Sequence, residues 1–246
     1  MVKPIIEVCA NSAESCVEAQ KGGAYRVELC AGIPEGGTTP SIGEIKVARE
    51  FTNLKINVII RPRGGDFLYS PLEIKTMKYD INAAKNAGAD GVVFGCLDCN
   101  GDIDMAMCKE LMECSTGMST TFHRAFDVCR DPFIALEQII SLGFDRILTS
   151  GQKSDATQGA QLIAKLIQLS SGRIIIMPGC GVNETNIALL KDKTGANEFH
   201  MSARKSIDSK MIYRNEEVSM GGTVCISEFS REVTSAERVA NSIQKL

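Results

Sequence analysis

Two short apolar runs near the start of the chain end in the same Glu-x-Cys pattern. Glu7 and Cys9 close the first run, and Glu28 and Cys30 close the second. Because side chains alternate between the faces of a strand, the carboxylate and the thiol of each pair would point the same way. Thiolates bind soft metal ions and carboxylates can act as general bases, so the two runs could supply a metal site or a catalytic one.

Polar side chains also follow later apolar runs, where further strands would end. Arg61, His123 and His200 all lie at such ends, and the chain has no other histidine. A lone histidine on a strand is commonly a satisfied core residue, but the shared location of both histidines favours a site. We therefore count these three residues with the two glutamates as candidate catalytic groups.

The two carboxylates would be costly to bury alone. Arg61, or alternatively Arg63 or Arg124, is expected to pair with Glu7 and Glu28 in a charge-assisted network. The alternative is that such ion pairs only fill the core of the protein.

Glycine-rich loops offer places where a ligand anion could bind. The segments GIPEGGTTP and RPRGGDFLYSP, the second of which contains Arg63, could fold over a ligand because glycine permits close backbone approach. Near the end of the chain, MPGCGVNETN precedes a predicted helix, and FHMSAR follows the next strand. Gly179, Gly181 and Arg204 could hold a phosphate or carboxylate there, although a simple tight turn is the alternative.

The elements that must position these residues alternate regularly between strand and helix. Strands are predicted at residues 5–9, 26–30, 55–61, 91–95, 120–123, 146–149, 173–177 and 198–201. Helices are predicted at residues 12–21, 42–51, 72–87, 103–114, 132–142, 156–169, 185–191 and 234–244. Eight βα units favour a single TIM-type (β/α)₈ barrel domain over residues 1–246, with an irregular C-terminal extension from residue 202. The carboxyl ends of all its strands would meet at one mouth.

The composition of the chain bears on its partners and its cellular location. The chain has 27 basic and 30 acidic residues and no dense basic block, which argues against a nucleic-acid partner. No apolar stretch approaches the roughly 20 residues that cross a membrane. Ten cysteines in 246 residues are too sparse for a disulfide scaffold and indicate a reducing compartment. A lone Cys96-x-x-Cys99 pair is weak evidence for zinc or redox chemistry.

Eight motifs in order carry a family resemblance. They are EVCANSAES, GGAYRVELCAGIPEGGTTPS, IRPRGGDFLYS, ADGVVFG, TFHRAFD, GFDRILTSG, MPGCGV and EFHMSAR. With these motifs the chain resembles the CutC family of copper-homeostasis proteins. The resemblance implies a TIM-type barrel, a cytoplasmic location, assembly into a homodimer or homotetramer, and binding of Cu(I) with Cys9 and Cys30 as ligands.

Two alternatives to a copper protein stay open. The first is an enzyme that acts on a small anionic or phosphorylated metabolite, with Glu7 or Glu28 as general base and Arg61 holding the substrate. The second is an oligomeric scaffold in which the ion pairs are purely structural.

Overall fold

Eight parallel strands alternate with helices in the computed structural model, which describes residues 4–218, 220 and 226–246. The strands are β1 (Ile5–Ala10), β2 (Arg26–Leu29), β3 (Lys55–Ile59), β4 (Gly91–Phe94), β5 (Ser119–Phe122), β6 (Arg146–Thr149), β7 (Ile175–Pro178) and β8 (Glu198–Met201). The helices are α1 (Ala13–Lys21), α2 (Ile42–Phe51), α3 (Pro71–Asn86), α4 (Met105–Cys114), α5 (Pro132–Leu142), α6 (Ala160–Ser170), α7 (Ile187–Thr194) and α8 (Ala236–Gln244).

The strands form one nearly closed parallel barrel. Their order in the sheet is β7-β6-β5-β4-β3-β2-β1-β8, and β8 lies beside β7 without a paired ladder. All eight predicted strands are present, and the predicted TIM-type barrel is confirmed.

Strand alternation separates an apolar outer layer from a polar interior. On β1, Ile6 and Val8 join the main hydrophobic core, while the fully buried Glu7 belongs to a polar network inside the barrel. The same alternation on β2 sends Val27 and Leu29 to that core. Because the apolar face packs under helices, it fixes the register and thereby holds the polar side chains inside.

Local signals explain where several helices begin. The hydroxyls of Ser12 and Ser41 accept hydrogen bonds from backbone amides in the first turns of α1 and α2, and Asp131 does so for α5. At α3, Ser70 and Glu73 form a reciprocal capping box. These caps agree with the helix starts predicted at residues 12, 42 and 132.

The C-terminal extension is more ordered than the sequence indicates. Strand β9 (Arg204–Asp208) pairs antiparallel with β10 (Ser230–Thr234), and α8 follows. Their sequences RKSID and SREVT lack an apolar alternation, so periodicity gives no signal for this hairpin. The sequence of residues 213–225 is typical of a loop, with a short strand as the alternative. Residues 213–218 and 220 form no strand, and residues 219 and 221–225 lie outside the described residues.

Four helices begin two or more residues later than predicted. Helix α6 begins at Ala160 rather than residue 156, α4 at Met105 rather than 103, α7 at Ile187 rather than 185, and α8 at Ala236 rather than 234. Within the described residues, no helix has the length and apolar character that a bilayer span requires.

Candidate functional site

Ion pairs cross the barrel interior below the mouth. Arg26 on β2 binds Glu7 through Nε and Glu198 through Nη2, the latter at 2.6 Å. Arg146 on β6 reaches the same oxygen of Glu198 at 3.2 Å. The arginine predicted to pair with Glu7 was therefore the wrong one: Arg26 fills the role expected of Arg61.

Glu7 also contacts a histidine on the neighbouring strand. The parallel register sets Glu7 opposite His200, and Oε1 of Glu7 lies 2.8 Å from Nδ1 of His200. Burial by itself raises the pKa of Glu7, but Arg26 and the hydrogen bond with His200 outweigh it and lower the pKa below the usual range. Glu7 is therefore ionised, and it fixes the orientation of the imidazole ring.

The two predicted thiols meet at the mouth. Cys9 Sγ lies 3.6 Å from Cys30 Sγ, and Arg204 Nη2 lies 3.5 Å from Cys9 Sγ. The hydrogen bond between the two sulfur atoms lowers the pKa of Cys9 against the effect of burial, and His200 and Arg204 lower it further. The same contact, together with burial, raises the pKa of Cys30. The two thiols thus differ, with the pKa of Cys9 lowered and that of Cys30 raised.

A carboxyl group and an imidazole complete a cluster of potential metal ligands. One ligand atom each of Cys9, Glu28 and His200 lie within 4.8 Å of one another. Burial, and to a lesser degree the charges of Cys9 and Glu7, raise the pKa of Glu28 to about 8 despite the opposing effect of His200. Burial lowers the pKa of His200, but the hydrogen bond with Cys9 and the charges of Glu28 and Glu7 raise it well above the usual range.

This cluster forms the floor of a cavity of about 280 Å³ at the mouth of the barrel. The cavity is lined by Cys9, Glu28, Gly36, Ile59, Arg61, Phe67, His123, Arg124, Asp127, Val128, Leu148 and His200. The four candidate catalytic residues other than Glu7 therefore line one cavity, and Glu7 lies directly behind His200.

Arg61 contributes a buried cation to the upper wall. Its Nη1 donates to the carbonyl oxygens of Glu35 and Gly37 at 2.8 and 2.9 Å, and its Nη2 donates to that of Gly65 at 2.8 Å. The guanidinium carbon lies 5.0 Å from the centre of the Phe67 ring. Arg61 thus joins the two glycine-rich loops, and it forms no ion pair with Glu7 or Glu28 in the described part of the chain.

His123 lies beside this arginine. Its Nδ1 accepts a hydrogen bond from the backbone amide of Ala125 at 3.3 Å, and its ring centre is 4.8 Å from that of Phe67. Burial, followed by the charge of Arg61, lowers the pKa of His123 to about 3. The ring is therefore neutral and carries its proton on Nε2.

The four residues predicted to bind an anion do not gather at one point. Arg63 pairs with Glu73 and Asp66, away from the cavity lining. Gly179 allows close packing, because a β-carbon there would lie 2.4 Å from Leu148 Cδ1 and 3.3 Å from the β-carbon of His200.

The other two members of that set lie against different groups. Gly181 has a positive φ of 76° and packs against the Asp155 side chain, and Arg204 contacts Cys9. An anion site formed by these residues together stays a prediction.

The two cysteines of the Cys96-x-x-Cys99 motif differ in their exposure to solvent. Cys96 is buried while Cys99 is exposed, and the thiol of Cys108 donates to the carbonyl oxygen of Cys96. Nine described cysteines are free.

Sequence reasoning missed the residues that support the site. The sequence did not indicate the roles of Arg26, Arg146 and Glu198, which form the buried ion pairs. It also did not indicate that Arg204 contacts Cys9. Strand parity could have found two of them, since Arg26 shares a strand face with Glu28, and Glu198 shares one with His200.

Fold and site together define a TIM-type barrel protein with two thiols, a carboxyl group and an imidazole at the C-terminal mouth of the barrel. Comparison with known sequences identifies one family within this class of protein. The sequence model of the CutC family matches residues 4–205, and the chain belongs to that family.

Similar proteins span almost the whole chain. A "family protein CutC" of Bacteroides thetaiotaomicron is 63% identical over 247 residues, covering 100% of this chain and 99% of the relative. A human protein named "Copper homeostasis protein cutC homolog" is 49% identical over 243 residues, covering 98% of this chain and 89% of the human protein.

A solved structure supports the fold. The structure named for the copper homeostasis protein CutC of Streptococcus agalactiae superposes with a TM-score of 0.78 at 34% identity, covering 81% of this chain and 98% of that one.

Proposed function

We propose that this chain is a copper-homeostasis protein that binds one Cu(I) ion through Cys9 and Cys30. The observation that carries the proposal is the separation of 3.6 Å between the two sulfur atoms, with His200 in the same cluster of potential ligands as Cys9. Metal–thiolate bonds are about 2.3 Å long for zinc, so two sulfur atoms at this distance can share one ion. Family membership supports the proposal, because the human relative is named for copper homeostasis.

The donor set suits a soft monovalent ion. Cu(I) prefers thiolates, and imidazole is an acceptable further ligand. Glu7 binds Nδ1 of His200, an arrangement that commonly orients metal-binding histidines. The other ring nitrogen would bind the ion after losing the proton that the hydrogen bond with Cys9 and the charges of Glu28 and Glu7 favour. Arg204 offsets negative charge on Cys9. Glu28 is an auxiliary group whose carboxyl can accept or release a proton as the ion binds.

We also propose a cellular location and an oligomeric state for the protein. Two thiols this close would oxidise to a disulfide outside a reducing compartment, so we place the protein in the cytoplasm. We also propose the homodimer or homotetramer that the family resemblance implies.

Anaerobic titration tests the copper site. Wild-type protein and the double variant Cys9→Ser, Cys30→Ser would compete for Cu(I) against a chromophoric chelator. We expect one tightly bound ion in the wild type and at least a tenfold loss of affinity in the double variant. Cys99→Ser serves as control, because Cys99 is exposed and lies outside the cavity lining. Equal affinity in the wild type and the double variant would refute the site.

The same cavity supports a second candidate, an enzyme that acts on a small anionic or phosphorylated metabolite. The observation in its favour is that Arg61 is buried and has no carboxylate partner among the described residues. Glu28, with its pKa raised to about 8 chiefly by burial, could exchange a proton with a substrate. Turnover of anionic metabolites by the metal-free chain, abolished by Glu28→Gln, is the test. No turnover over a broad panel would contradict this candidate.

A further inference from the structure

Three buried polar atoms around the cavity have no hydrogen-bond partner within the part of the chain that the structure describes. They are Glu28 Oε2, Arg61 Nε and His123 Nε2. Each residue lines the cavity and is no more than 5% exposed. A buried polar group without a partner is costly, so three such atoms on residues that line one cavity point to a ligand that satisfies them.

Two of the three atoms are hydrogen-bond donors. Arg61 Nε carries a hydrogen in every accessible state of the side chain. In His123, Nδ1 is occupied as acceptor by the amide of Ala125, which places the ring proton on Nε2. The upper wall of the cavity therefore presents two N–H groups to a ligand, and a ligand oxygen is the matching acceptor.

The positive charge of Arg61 indicates that the ligand oxygen belongs to an anionic group. The hydrogen bonds of the Arg61 head group go to neutral carbonyl oxygens of Glu35, Gly37 and Gly65, and no carboxylate among the described residues pairs with it. A buried cation without a counter-ion is costly, and an anionic ligand removes that cost.

The remaining lining limits the size and character of the ligand body. Ile59, Phe67, Val128 and Leu148 supply apolar surface. The cavity of about 280 Å³ is of the size that holds a small organic molecule. A phosphate group carries three terminal oxygens and two charges, whereas the wall offers two free N–H donors and one unpaired cation. A carboxylate on a compact apolar body matches this wall better.

We propose that this cavity binds a small organic monocarboxylate. Arg61 Nε and His123 Nε2 donate hydrogen bonds to the carboxylate of the ligand, and the apolar body of the ligand packs against Phe67 and Leu148. A hydroxyl group on the far side of the ligand would satisfy Oε2 of Glu28. Binding of a carboxylate requires neither bound copper nor catalysis. An experiment that finds no carboxylate binding therefore leaves the copper site untouched, and the reverse also holds.

Calorimetric titration of the metal-free wild-type chain tests this site. The probes are benzoate, phenylacetate and isovalerate, each paired with its own amide, and inorganic phosphate. We expect at least one carboxylate to bind at least tenfold more tightly than its amide, and phosphate to bind more weakly than that carboxylate. If every carboxylate binds no better than its amide, or phosphate binds more tightly than all three, the proposal is wrong.

Two variants locate the binding. His123→Phe keeps an aromatic ring beside Phe67 but removes the Nε2 donor, and Arg61→Lys keeps the charge but removes Nε. Both should weaken carboxylate binding at least fivefold, while Arg173→Gln, which removes an exposed arginine paired with Glu137, should not. Circular dichroism checks that each variant is folded. Unchanged affinity in a folded His123→Phe protein would overturn the assignment, even if Arg61→Lys fails to fold.

Discussion

Oε1 of Glu7 lies 2.8 Å from Nδ1 of His200, across the pair formed by the first and last strands of the barrel. The contact joins the buried ion pairs to the thiol cluster at the mouth, because Glu7 also binds Arg26. The imidazole is therefore fixed from below by Glu7, and its other ring nitrogen is directed to Cys9 at the mouth. The site depends on barrel closure, which brings β1 and β8 together.

Replacing Glu7 should affect both stability and metal affinity. In Glu7→Gln, Arg26 loses one of its two carboxylates and His200 loses its orienting partner. Removing one member of a buried ion pair costs about 3–5 kcal/mol, and removing the partner of a ligating histidine costs about 10- to 100-fold in metal affinity.

Urea denaturation and Cu(I) competition measure the two effects of Glu7→Gln. Glu137→Gln breaks an exposed pair with Arg173 and should change stability by less than about 1 kcal/mol. Wild-type copper affinity in the Glu7→Gln protein would show that His200 is not a ligand.

His123 should make the protein less stable as the pH falls. Burial, and then the charge of Arg61, lower its pKa to about 3, against 6.5 in the unfolded chain. Above pH 6.5 the ring is neutral in both states, so its burial carries no protonation cost. Below that pH only the unfolded state takes up the proton, and the free energy of unfolding drops by up to about 1.4 kcal/mol per pH unit toward pH 3.

The variant His123→Asn isolates this effect, because its amide oxygen can still accept from Ala125 while it does not titrate. The difference in free energy of unfolding between wild type and variant should shrink as the pH is lowered from 7 to 5. Carboxylates that titrate in the same range affect both proteins alike. A difference that stays constant over this range would mean that the pKa of His123 is the same in the folded and unfolded states.

Gly179 should tolerate no side chain. The β-carbon in Gly179→Ala would lie 2.4 Å from Leu148 Cδ1 and 3.3 Å from the β-carbon of His200, so both must shift. We expect a loss of about 1–3 kcal/mol in stability and weaker Cu(I) binding through displacement of His200. Thermal denaturation and the chelator assay measure the two effects.

Gly43→Ala is the matched control for Gly179→Ala. Gly43 lies in α2, where the nearest atom to a new β-carbon is 3.6 Å away. The variant should be as stable as the wild type or more stable by up to about 1 kcal/mol. If both alanine variants behave alike, close packing does not explain Gly179.

Much of the barrel could be predicted from the sequence because its strands and helices leave distinct periodic patterns. The contact between Cys9 and Cys30 followed from their place at the ends of adjacent parallel strands. The partner of Glu7 did not follow, because Arg26 lies at the start of its strand while Arg61 follows one. Strand parity places Arg26 inside the barrel, but which arginine reaches a given carboxylate depends on the stagger of the strands, which a single sequence does not reveal.

The hairpin of β9 and β10 could not be predicted for a different reason. Its exposed residues need no apolar face, and its pairing is fixed by Val233 and Thr234, which are buried. Its importance for the site lies in Arg204, the first residue of β9, which reaches Cys9.

X-ray absorption at the copper edge, on the anaerobic complex with one Cu(I) per chain, identifies the ligands of the bound ion. We expect two sulfur ligands and one nitrogen ligand, and the same spectrum from the Cys99→Ser control. Cys9→Ser, Cys30→Ser should lose the sulfur scattering. Coordination by nitrogen and oxygen alone in the wild type, or an unchanged sulfur signal in the double variant, would contradict binding by Cys9 and Cys30.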